Sequence, residues 1–133
     1  MAFPDRVMAA SVAGVTKAKD AVGAYGERVA ARLLAENGMD LLDRNWRCPD
    51  GELDIVARDG DTIVFCEVKT RRGERYGVPA EAVGPGKVRR LRALAAAWLR
   101  AHPDRRGQVR FDVVSVRTRR TGAASVEHVR GAF

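Results

Sequence analysis

Between Lys19 and Asn37 the apolar residues Val22, Tyr25, Val29, Leu33 and Leu34 return every three or four positions among alanines, the spacing that gathers them on one side of an α-helix. Gly38 supplies its C-terminal stop. The period then changes. Glu52 to Arg58 and Asp61 to Thr70 are rich in β-branched residues, and Asp59-Gly60 between them is a preferred two-residue turn, so the pair reads as a β-hairpin. A second helical stripe, Val88, Leu91, Leu94, Ala95, Trp98 and Leu99, runs from about Lys87 to His102 and stops at His102-Pro103-Asp104. Gln108 to Arg117 reads as a third strand and Ser125 to Val129 as a short last one. Met39 to Asp50 reads as a connection with short extended pieces, closed by the turn signal Pro49-Asp50-Gly51. Arg71 to Gly86 reads as a glycine- and arginine-rich loop. This order predicts one α/β domain over residues 17–133, with a flexible N-terminal extension at 1–16.

With Asp59 and Gly60 as the loop, Asp54 faces Phe65 and Glu52 faces Glu67. Side chains alternate along a strand, so Glu52, Asp54, Val56, Ile63, Phe65, Glu67 and Lys69 share one face, and Leu53, Ile55, Ala57, Val64, Cys66 and Val68 the other. Both faces are largely apolar, which predicts a central hairpin covered by helices on both sides. One face nevertheless carries three carboxylates. Side-by-side carboxylates repel and lose hydration unless a cation compensates them. Mg²⁺ is the natural candidate, a hard ion held by one or two carboxylates plus water and phosphate, with Mn²⁺ as a substitute. Asp54 and Glu67 are its expected ligands. Lys69 then points at the same place, where it can stabilise charge growing on a phosphate or orient a water. The competing reading is a surface ion pair at the open end of the hairpin. A three-residue loop would reverse Asp54, so the register decides between them.

Charge sharpens this picture. The chain of 133 residues carries a formal net charge of +7, which favours a polyanionic partner through counterion release. Residues 69–92 hold eight basic side chains against Glu74 and Glu81, almost the whole excess. Arg71, Arg72 and Arg75 are expected on the loop, and Lys87, Arg89 and Arg90, with Arg92, on the first turns of the second helix, where backbone amides also favour phosphate. These are the candidate nucleic-acid contacts, and a solvated basic helix face is the alternative. Tyr76 is the better base-stacking candidate, while Trp46 and Trp98 read as core. Cys48 and Cys66 lack metal-ligand spacing and read as free thiols of a cytoplasmic protein. No stretch has the length of uncharged apolar residues needed to cross a bilayer, so no membrane is expected. Asp112 and His128 read as structural, with Asp112 a partner for an arginine.

Gly23-Ala24-Tyr25-Gly26-Glu27, Arg44-Asn45-Trp46-Arg47, Gly51-Glu52-Leu53-Asp54-Ile55-Val56-Ala57, Val64-Phe65-Cys66-Glu67-Val68-Lys69-Thr70-Arg71, Arg110-Phe111-Asp112-Val113-Val114 and Glu127-His128-Val129-Arg130-Gly131-Ala132-Phe133 together resemble the YraN family of bacterial proteins. That family is similar to archaeal Holliday junction resolvases and to the PD-(D/E)xK nuclease superfamily. The resemblance implies a restriction-endonuclease-like core, a central mixed β-sheet flanked by helices, and a Mg²⁺-dependent endonuclease site at the hairpin. It also implies that Asp54 and Glu67 bind metal with the Val68 carbonyl, that Lys69 assists the attacking water, and that Glu27 on the first helix completes the site. Without the resemblance, Glu27 reads as a solvated helix charge. Pro49-Asp50 matches the superfamily's name literally but lies in a turn before the strand, so Asp54 is the chosen aspartate. The expected partner is nucleic acid, DNA before RNA and branched DNA in particular, with a homodimer as in resolvases. Two alternatives stay open: a non-catalytic nucleic-acid-binding module that keeps the nuclease fold, and a protein-interaction domain whose basic face serves an acidic partner.

Overall fold

The computed structural model describes residues 21–73 and 84–133. The N-terminal extension, the helix start at Lys19, Arg75 and Tyr76 lie outside the described residues. Helix α1 (Ala21–Glu36) leads into β1 (Asp40–Cys48), β2 (Gly51–Asp59) and β3 (Thr62–Arg72); α2 (Pro85–Ala101) then connects to β4 (Gln108–Thr118) and β5 (Ser125–Val129). The strands form one sheet in the order β1-β2-β3-β4-β5. Only β3 and β4 run parallel, paired from Thr62 with Gln108 to Arg72 with Thr118; the other neighbours are antiparallel. Antiparallel neighbours need only short turns, whereas a parallel pair needs a crossover, which α2 supplies. The α/β class and the central mixed sheet flanked by helices therefore stand as expected.

Each face of the sheet has its own core. Ala30, Ala31 and Leu34 of α1 pack on Ile55, Ala57, Val64, Cys66, Val114 and Val116. Leu91, Leu94, Ala95 and Trp98 of α2 pack on Leu53, Val56, Ile63, Phe65 and Phe111. The α2 stripe thus buries Leu91, Leu94, Ala95 and Trp98 as predicted. Of the α1 stripe only Leu34 is buried: Ala30 and Ala31 take the core face, Val22, Val29 and Leu33 are half-buried and Tyr25 is exposed. Burial pushes the Cys66 thiol well above its ordinary range, aided by the charges of Asp112, Asp54 and Glu67, as suits an inert core position.

Three expectations change. Met39 to Asp50 is not a connection but contains the edge strand β1, whose alternation is broken by an irregularity between Leu41 and Asp43 and by Asn45 at φ 52°. Leu41 packs with the α1-side core, while Leu42 and Trp46 pack with the α2-side core. Asp43 is buried as well, where it accepts a hydrogen bond from Trp98 Nε1 at 3.0 Å and one from its neighbour's amide, Arg44 N, at 2.9 Å. Second, the hairpin turn is Gly60-Asp61, closed by Asp59 opposite Thr62. Gly60 has φ 62° and Asp61 is not left-handed, which is the demand of a type II′ turn with glycine first. Val56, not Asp54, therefore faces Phe65. Third, Arg71 and Arg72 belong to β3 rather than to a loop, because the parallel partner β4 extends pairing to Thr118.

Two close fits set the helix and the chain end. A Cβ on Gly26 would overlap the Thr70 side chain, so α1 approaches β3 through glycine. At the other end of the strands, Asp112 is fully buried and accepts hydrogen bonds from His128 Nε2 (2.8 Å), Arg110 Nε (2.9 Å), Arg110 Nη2 (3.0 Å) and Gly131 N (3.0 Å). Phe133 stacks on Phe111 with 5.1 Å between centroids, and Arg92 lies over both rings. The motifs Arg110 to Val114 and Glu127 to Phe133 are therefore halves of one fastening for residues that follow β5.

Candidate metal and nucleic-acid site

The β2–β3 ladder stops at Ile55 opposite Cys66. Continuing its register sets Asp54 opposite Glu67, closer than the diagonal arrangement read from the sequence, and pairs Val68 with Leu53. In a continued ladder the Val68 N–H would belong to the Leu53 carbonyl. Instead it donates to Asp54 Oδ2 at 2.9 Å. The reason lies in β2 itself. Leu53 joins the α2-side core and Ile55 the α1-side core, so the alternation of β2 breaks at Asp54. Its β1 neighbour is the left-handed Asn45, between the pairs Arg44–Ile55 and Trp46–Leu53.

The same break removes Glu52 from the shared face. Leu53 and its partner Trp46 pack on the α2 side, which turns Glu52 and its partner Arg47 away, and these two form an ion pair at 3.4 Å. Two of the three expected carboxylates remain together. On β3 the alternation is regular: Ile63 and Phe65 meet α2, and Glu67 and Lys69 continue that row.

Glu67 is largely buried and receives an ammonium group from the start of α2, with Lys87 Nζ 3.0 Å from Oε2. Burial raises the Glu67 carboxyl above its ordinary value, the Asp54 charge adds to this, and Lys87 and Lys69 offset only part of it. Lys87, expected among the phosphate contacts, pairs with Glu67 in this structure. Spacing could not reveal this, since the contact joins a strand to a helix through residues distant in sequence.

Of the other basic residues, Arg72, Arg89 and Arg90 are exposed, and Arg90 Cδ lies near Gly51 at the start of β2. Arg71 follows Lys69 along the row of Glu67, and its Nε is buried with no hydrogen-bond partner among the described residues. Arg92 is committed to Phe111 and Phe133. Glu27 is buried on α1, beside Gly26 where the helix meets Thr70. Among the described residues no three His, Cys, Asp or Glu side chains gather closely enough to hold one ion, and Glu27 is not gathered with Asp54 and Glu67 in this structure. Asp50 lies exposed in the turn before β2. The donors are of the hard-oxygen kind that a divalent cation such as Mg²⁺ takes, and Asp54, Glu67 and the Val68 carbonyl are the residues that would hold one.

The family described as "Uncharacterised protein family UPF0102" matches residues 26–116, from the Gly26 contact into β4. The chain belongs to family UPF0102. A UPF0102 protein of Beutenbergia cavernae is 60% identical over 115 residues, covering 86% of this chain and 98% of its own. Another, of Frankia casuarinae, is 59% identical over 117 residues, covering 88% and 99%. A third, of Acidothermus cellulolyticus, is 51% identical over 132 residues, covering 92% and 100%. The resemblance to the YraN family, read from the motifs, is this same membership. Among solved structures, one described as an EndoMS-dsDNA2 complex is similar at a TM-score of 0.41 and 24% identity, covering 72% of this chain and 37% of that chain. No helix among the described residues is long and apolar enough to cross a membrane.

Proposed function

We propose that this UPF0102 protein is a nuclease-type nucleic-acid-binding protein with a Mg²⁺-dependent site for phosphodiester hydrolysis. The observation that carries the reading is the end of the β2–β3 ladder, where Asp54, the residue before the last paired one and adjacent in register to Glu67, accepts the Val68 amide in place of backbone pairing. A catalytic carboxylate must be held still, and the 2.9 Å bond from Val68 does so. In this reading Asp54 and Glu67 hold the ion with the Val68 carbonyl. Mg²⁺, when bound, supplies electrostatic stabilisation of the phosphoryl oxygens and a more acidic water. Lys69, two residues beyond Glu67 on the same row, orients the water or stabilises charge on the phosphate. Glu27 backs the site from α1. Arg71, Arg72, Arg75, Arg89 and Arg90 contact the phosphate backbone, which positions the substrate without reading its sequence.

The substrate class is DNA before RNA, with branched DNA as the first choice, and the working form a cytoplasmic homodimer. Cleavage of branched, flapped, single-stranded and linear substrates with Mg²⁺ tests this. Wild-type protein should cut at least one of them and Lys69→Ala none; absence of metal-dependent cutting by the wild type rejects the enzymatic reading. A second reading, a non-catalytic binding module, is favoured by one observation: Lys87 supplies Glu67 with a cation from the protein itself. It predicts nucleic-acid affinity unchanged by Asp54→Ala and reduced by Arg90→Ala.

A further inference from the structure

We infer that Lys87 is a built-in counter-cation of the carboxylate pair, one that neutralises Glu67 in the metal-free protein, must leave it for a divalent ion to enter, and is then available to a phosphate of the substrate. The inference rests on the reading of Asp54 and Glu67 as a metal pair and adds a regulated step to it. Three observations carry it.

The first is the geometry of the ion pair. Lys87 Nζ sits 3.0 Å from Glu67 Oε2, and the two side chains differ in burial, 39% exposed for Lys87 and 12% for Glu67. The carboxylate is fixed in the strand while the ammonium arrives from the solvent side. The second is the origin of the two lysines near Glu67. Lys69 belongs to β3, so its backbone moves only with the sheet. Lys87 comes from the first turn of α2, after the Gly84 cap and Pro85, on a four-carbon stem that can swing outward. The third is the electrostatics. An ammonium group and a divalent cation on the same carboxylate repel each other, so metal entry favours the outward position. Swung out, Lys87 joins the exposed Arg89 and Arg90 of the same helix start. A group that compensates Glu67 before metal entry therefore becomes a phosphate contact after it, which ties metal binding to substrate binding through one side chain.

A permanent structural ion pair would behave differently, and Mn²⁺ binding to the full chain separates the two. The readout is free Mn²⁺ by electron paramagnetic resonance, with wild type, Lys87→Met, Lys87→Gln, Lys87→Arg and Asp54→Asn. Removal of one opposing charge should tighten Mn²⁺ binding by about tenfold or more in Lys87→Met and Lys87→Gln. Lys87→Arg should stay near wild type, and Asp54→Asn should lose binding. In chelator, Lys87→Met should melt below wild type, and Mn²⁺ should raise its Tm by more than it raises that of wild type. If wild type binds Mn²⁺ at Asp54 and the two neutral variants bind it equally or more weakly, the inference falls while the metal reading stands. If neither wild type nor the neutral variants bind Mn²⁺, both fall.

Discussion

Substituting Asp112 by Asn tests how the chain end is fastened, and the structure sets the size of the effect. Asp112 is fully buried and accepts from His128, twice from Arg110, and from the Gly131 amide. Asparagine keeps the shape but replaces one acceptor oxygen by an amide that must face donors. Removing one partner of such a buried charge network costs about 3 kcal/mol or more. The pH dependence follows from the same contacts. Burial alone would raise the Asp112 carboxyl, yet the hydrogen bonds from His128, Arg110 and Gly131 outweigh it and hold the group down at about 2. A depressed carboxyl stabilises the fold above its unfolded value near 4, and the contribution is lost as pH falls through the folded value. The shift corresponds to about 2 kcal/mol, most of it gone by pH 2.5. Urea unfolding followed by Trp98 fluorescence should therefore show Asp112→Asn about 3 kcal/mol less stable than wild type at pH 7. The gap should narrow by more than about 1 kcal/mol at pH 2.5. A cost below about 1 kcal/mol at pH 7, or a gap independent of pH, would refute this account of the network.

Other positions give further tests. Gly26→Ala would ordinarily strengthen a helix by about 1 kcal/mol, but here the new methyl meets Thr70, so a net loss of about 1–3 kcal/mol is expected; a raised melting temperature would contradict the close fit of α1 on β3. Trp98→Phe leaves buried Asp43 without its indole donor and should cost about 2 kcal/mol in denaturant titrations. An unchanged midpoint would show that the bond contributes little. Arg90→Ala should reduce the slope of log affinity against log salt by about 1 for any duplex sequence. A loss confined to one sequence would argue for base reading instead.

Much of this molecule is legible in the chain, and the exceptions have physical causes. The stripe Leu91, Leu94, Ala95 and Trp98 and the alternating Ile63, Phe65 and Ile55, Ala57 name both cores, because burial on one face imposes a period. β1 stayed hidden because an edge strand with an irregularity at Leu41 to Asp43 and a left-handed Asn45 has no clean period. The turn moved by one residue because glycine serves first in a type II′ turn as readily as second in a type I′ turn. Parity survived the shift, so Asp54 and Glu67 still meet. Glu52 left their face because alternation breaks at Asp54, and a break of that kind depends on β1, which pattern alone did not supply. Lys87 on Glu67 is a tertiary contact with no local signature.

The central claim is that Asp54 and Glu67 share a divalent cation. Anomalous scattering from Mn²⁺ soaked into crystals of the protein tests it most directly. A peak between the two carboxylates, abolished by Asp54→Asn, is the predicted result; crystals that take up Mn²⁺ at other places and show no peak there would contradict it.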